Sequence, residues 1–162
     1  MFTDASLIGY GIYIEILSQK FAISGAFPKS TSDWSINVKE LYVLLLGQFI
    51  TIYIHKKLDL QNYSNKKQIV MSYVDNNTAK TISATLRPNL KSKPLGLLSK
   101  VQIALDLNYS NYINRFIRIP TKMNKIADIL SRDEKFFYID ESTFYSTSPL
   151  LLIGVNLKEH KF

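Results

Sequence analysis

The stretch LYVLLLGQFITIYI, Leu41 to Ile54, carries no charged residue and no proline, and it limits the folds open to this chain. Its 14 residues fall short of the roughly 20 that a bilayer-spanning helix needs. It is internal and preceded by Lys39-Glu40, which is not the pattern of a signal peptide. It reads as a buried helix, and other elements must cover it. SINVKEL, just upstream, predicts the helix start, with Asn37 as N-cap and Glu40 three residues later as a capping box. His55-Lys56-Lys57 places positive charge where a helix C-terminus favours it.

The covering elements are legible around it. Phe2 to Ile8, Ile12 to Leu17 and Phe21 to Phe27 read as three short strands, with Gly9-Tyr10-Gly11 as a turn or bulge. Consecutive strands with short connections imply an antiparallel meander. Gln68 to Val74 is a further strand that stops at Asp75-Asn76-Asn77. Thr78 to Leu86 reads as a short helix, Arg87 to Pro94 as a basic loop and Leu95 to Leu107 as a helix. Ile113 to Ile119 is a strand closed by Pro120, after which Asn124 caps a helix over Lys125 to Ser131. Strands first, then alternating helices and strands, predict an α/β fold with a mixed sheet.

The chemistry available is narrow. With 162 residues the chain suits one domain and an appended tail. Cysteine is absent and the two histidines, His55 and His160, are far apart, so a metal would need oxygen ligands, as magnesium, manganese and calcium accept. Absent cysteine also fits a reducing, intracellular setting. From Thr51 to Arg132 there are fourteen Lys or Arg against four Asp, a local charge of +10. That balance suits a polyanion such as nucleic acid, or a Lys-rich surface without a partner.

Four acids fall where they can converge: Asp4 in the first strand, Glu40 in the first turn of the buried helix, Asp75 at the end of the fourth strand, and Asp128 in the last helix. Each alone has an ordinary structural explanation, as edge residue, cap partner, cap or helix-face charge. If the fourth strand lies beside the first, Asp4 and Asp75 become neighbours at the carboxyl end of the sheet, a usual ligand position.

TDAS (Thr3 to Ser6) followed by GYG, SINVKEL (Ser35 to Leu41), VDNNTA (Val74 to Ala79) and IPTKMNKIADILSR (Ile119 to Arg132) together resemble the ribonuclease H domain of retroelement reverse transcriptases, nearest the DIRS-like and gypsy-like elements. The resemblance spans residues 1–132 and leaves 133–162 as a tail or the start of another polyprotein region. It implies a ribonuclease H-like fold: a three-stranded antiparallel meander plus two parallel strands, five in all, with helices on both faces. It also implies a metal-dependent endonuclease that hydrolyses the RNA strand of RNA·DNA hybrids, with a polymerase domain as partner and no membrane. Asp4, Glu40, Asp75 and Asp128 are then the catalytic residues and ligands of two magnesium or manganese ions, Asp4 bridging both. Ser6, Asn76, Asn77, Lys122 and Asn124 are candidate substrate contacts, through phosphate or ribose hydroxyls. Many active relatives carry a His in the loop before the last Asp. Here that loop is IPTKMN, with Lys122 near the place, which leaves room for a weak or inactive nucleic-acid-binding domain. An integrase-type nuclease is disfavoured, since its Glu comes last.

Overall fold

The computed structural model describes residues 1–16, 19–58, 67–77 and 93–132. The expected helix over Thr78 to Leu86 and the tail 133–162 lie outside them. The order is β1 (Phe2–Ala5), β2 (Gly9–Ile16), β3 (Gln19–Ala26), α1 (Ile36–Lys57), β4 (Gln68–Val74), α2 (Lys93–Asn108), β5 (Tyr112–Arg118) and α3 (Lys125–Arg132). The strands form one five-stranded sheet in the order β3-β2-β1-β4-β5. The β3, β2 and β1 strands are antiparallel neighbours, whereas β4 runs parallel to both β1 and β5. This is the mixed sheet the sequence predicts.

α1 is apolar around its circumference because it is covered on two sides. Val43, Leu44, Leu46 and Ile50 pack with Ile12, Ile14, Ile16 and Val74 of the sheet. Val38, Leu41, Leu45 and Phe49 face Leu95, Leu98 and Leu105 of α2. Each fully buried aliphatic contributes about 1.5–3 kcal/mol relative to exposure. By length and composition the 22-residue helix could span a membrane, but 72% of its most apolar window is buried within the fold.

Two glycines set how closely the helices approach the sheet. A Cβ on Gly47 of α1 would lie 2.9 Å from Thr3 Cγ2. On Gly11 of β2 it would lie 2.2 Å from Ala127 O and 2.6 Å from Leu130 Cβ, both of α3. Thr3 and Gly11 project to opposite sides, because Thr3 pairs with Ile12 and Asp4 with Gly11. Helices therefore cover both faces.

Three local expectations are corrected. β1 ends at Ala5, and the turn is Ser6 to Gly9, closed by Ser6 N–H to Gly9 O at 2.8 Å. Gly9-Tyr10-Gly11 lies inside β2, where Gly11 serves the approach of α3 rather than a turn. The α1 N-cap is Ser35, in extended conformation, not Asn37. The amides of Val38 and Lys39 reach Ser35 O, so Asn37 already stands within the helix and Glu40 is no capping partner.

Gly11→Ala should cost about 2–3 kcal/mol in urea unfolding, because the new methyl meets backbone of α3. Gly96, in α2, has nothing within 4 Å of its hypothetical Cβ. Gly96→Ala should instead gain about 0.5–1 kcal/mol from helix propensity.

Candidate active site

The parallel register aligns Phe2 with Tyr73, and their rings stack with centroids 4.7 Å apart. Two residues further along each chain stand Asp4 and Asp75, on the same face by strand alternation. Asp75 follows the last residue of β4. Glu40 comes from the start of α1, and its freedom from capping leaves its carboxylate available. Ligand oxygens of Asp4, Glu40 and Asp75 all lie within 4.8 Å of one another. Such a group of oxygen donors can hold a metal ion, and its all-carboxylate character suits a hard cation.

Asp128 stands outside this group. Its Oδ1 accepts from Arg132 Nε at 2.6 Å, one helical turn away. Its charge still acts on Asp4. Thus three of the four expected acids come together tightly, and the fourth is beside them in an ion pair.

The crowding has an electrostatic cost. Burial pushes the Asp4 carboxyl up to about 6; the Ser131 hydroxyl and Arg132 oppose this, while the charges of Asp75 and Asp128 add to it. Burial likewise pushes Glu40 up to about 7, opposed by a hydrogen bond from Asn76 and reinforced by Asp75 and Asp4. Without a cation, then, the cluster retains protons near neutrality. A bound cation would favour full ionisation.

The candidate substrate residues separate by position. Asn77 and Lys122 are exposed. Asn76 is occupied: its Nδ2 donates to Asn37 Oδ1 at 2.9 Å, and it hydrogen-bonds Glu40. Asn124 is 1% exposed, and its Nδ2 donates to Thr3 O at 2.9 Å, which ties the segment before α3 to β1. Ser6 Oγ donates to Ser131 O at 2.7 Å and accepts from Gly9 N–H at 2.9 Å, holding the β1–β2 turn against α3. Ser131 was not among the expected site residues. Its hydroxyl donates to Asp4 Oδ2, and it is fully buried. The only sequence signal for it was its membership of the ADILSR stretch.

The raised carboxyls make stability pH-dependent. Because the folded state holds these protons more tightly, their stabilising contribution is complete below the ordinary values of 3.8 and 4.5 and is lost as pH rises through about 6 to 7. Metal-free protein should therefore lose Tm between about pH 5 and pH 8, and Asp4→Asn or Glu40→Gln should flatten that loss. At pH 8 either variant should gain about 1–2 kcal/mol over the parent, roughly 2–8 °C. Identical Tm–pH profiles in parent and variants would show the carboxyls to be unstrained.

No protein-family model matches the chain, and no curated protein matches it in sequence. Solved structures do match. The crystal structure of RNase H1 from the halophilic archaeon Halobacterium salinarum superposes with a TM-score of 0.52 at 12% identity, covering 80% of this chain and 90% of the archaeal one. Sheet order, strand directions and this structural likeness agree: the chain has the ribonuclease H fold.

Proposed function

We propose that this protein is a metal-dependent endonuclease that hydrolyses the RNA strand of RNA·DNA hybrids. The observation that carries the reading is the convergence of Asp4, Glu40 and Asp75 within 4.8 Å at one end of a ribonuclease H-fold sheet. The order of the acids along the chain and the basic segment around them support it. The family resemblance of the motifs further supports descent from a retroelement reverse transcriptase, an intracellular setting and a polymerase domain as partner.

Asp4, Glu40 and Asp75 would hold the cations, magnesium or manganese, with Asp128 as the fourth ligand. Divalent cations held by these residues would supply an activated water and charge stabilisation at the departing 3′-oxygen. The chain's own part is positioning. Ser131 fixes one oxygen of Asp4 by donating to it, and Asn76 orients Glu40 from the side of β4. Burial of Asp4 excludes water from its inner side. Arg132, paired with Asp128, keeps a cation at the edge of the site where a phosphate would approach. Exposed Lys122 and Lys125 add attraction for the backbone, without sequence preference.

The test is cleavage of an end-labelled RNA·DNA hybrid with magnesium or manganese and with chelator, beside double-stranded DNA and double-stranded RNA. Expected is cation-dependent cutting of the RNA strand of the hybrid alone, reduced to background by Asp4→Asn and by Asp75→Asn while both variants stay folded. Hybrid binding without cutting would favour a non-catalytic binding domain, the reading to which the missing loop His points. Undiminished cutting by Asp4→Asn would overturn the site assignment.

A further inference from the structure

The turn between β1 and β2 is held from two sides. On one, Ser6 Oγ donates to Ser131 O at 2.7 Å and accepts from the amides of Gly9 and Ile8 at 2.9 and 3.3 Å. On the other, Lys39 Nζ donates to Leu7 O at 2.6 Å, and Phe27 N–H donates to Ile8 O at 2.8 Å. Lys39 is 2% exposed, with its ammonium 5.2 Å from the centroid of the Phe27 ring. Burying an ammonium is costly unless its contacts compensate, and among the described residues those contacts are one carbonyl and one aromatic face. A short surface hairpin does not require such an anchor.

The tip so held is apolar and in solvent. Leu7 is 74% exposed and Ile8 51%. Scattered exposed aliphatics are ordinary. These two are adjacent, rigidly supported, and joined through both anchors to the carboxylates: Ser131 donates to Asp4, and Lys39 immediately precedes Glu40. The turn follows Asp4 by only two residues at the carboxyl end of β1, which makes the tip a neighbour of the carboxylates. The phosphates of a nucleic-acid strand offer nothing to an aliphatic side chain, but the C–H faces of its sugars do. Contact there would remove apolar surface from water on both partners.

We propose that Leu7 and Ile8 form a rigid apolar ledge that packs against sugar rings of the nucleic-acid strand at the carboxylates, and that Lys39 is the positioning residue that holds it. This rests on the nuclease reading and adds a binding element that is neither charged nor sequence-reading. The ledge acts on affinity and not on the chemical step. Its contribution is insensitive to salt, unlike that of the lysines.

The experiment compares the parent chain with Leu7→Ser/Ile8→Ser, Lys39→Met and, as a control, Leu107→Ser, whose side chain is 75% exposed at the end of α2. Hybrid binding is read by fluorescence anisotropy without divalent cations, over a range of salt, and cleavage by kcat and KM with magnesium. The double variant should raise Kd and KM about 5- to 50-fold, the range expected for losing one to two aliphatic contacts. Its kcat should stay within about twofold and its salt slope should be unchanged, since no phosphate contact is lost. Lys39→Met should reproduce the rise in Kd and speed amide exchange at Gly9, while Leu107→Ser should change neither. An unchanged Kd in the double variant, with an active parent, overturns the ledge alone. A parent that binds through the ledge but never cleaves overturns the nuclease reading alone. Unchanged binding together with lost self-association would assign the tip to a protein contact and overturn the proposal.

Discussion

Parallel pairing of β1 with β4 is the constraint from which the site follows. Phe2 opposite Tyr73 fixes the register, and that register puts Asp4 level with Asp75 where both strands end. A shift of one residue would turn one of these side chains to the opposite face. β1 is only four residues long, so few ladder bonds hold it in place. The rest comes from side chains and close contacts: Gly47 of α1 against Thr3 on one face, Asn124 Nδ2 reaching Thr3 O from the segment before α3, and Ser131 Oγ reaching Asp4 from α3.

The arrangement sets stability against function. Three carboxylates within 4.8 Å, two of them with raised pKa values, are not a low-energy grouping in isolation. The core of α1 against sheet and α2 offsets it. Local compensation is incomplete by construction: Ser131 and Asn76 each donate to one carboxylate, and Arg132 is directed to Asp128. What remains is an excess of negative charge on a domain whose middle is strongly basic. That is the local inconsistency expected at a functional site.

How much of this was legible depended on the range of the interaction concerned. β4 is legible with its observed ends, because QIVMSYV is a short, mostly apolar run that meets an Asp-Asn-Asn breaker. α1 was evident from its unbroken apolar run. The start of α1 was misread because Asn37 and Glu40 satisfy the capping pattern locally, whereas each has a partner on the β4 side of the site in Asn76. Likewise Gly9-Tyr10-Gly11 has the composition of a turn, yet Gly11 answers to a helix more than a hundred residues away. The ties of Asn124 and Ser131 to β1 are opaque for the same reason: their hydrogen bonds run at sequence separations of 121 and 127. Local pattern cannot encode a partner that distant.

Those separations also bear on how the protein is made. A chain emerging from the ribosome presents β1, β2 and β3 first, and hairpin pairing among them is quick and local. Asp4, however, acquires its hydrogen bond only when Ser131 has been synthesised, and Gly11 stays uncovered until Ala127 and Leu130 arrive. The carboxylate cluster is therefore completed late, by non-local contacts that close most of the domain in a single loop. A nascent chain stopped before α3 would hold Asp4 at the surface of an unfinished sheet, with neither its hydroxyl donor nor its cover. Acquisition of the site and completion of the domain are one event.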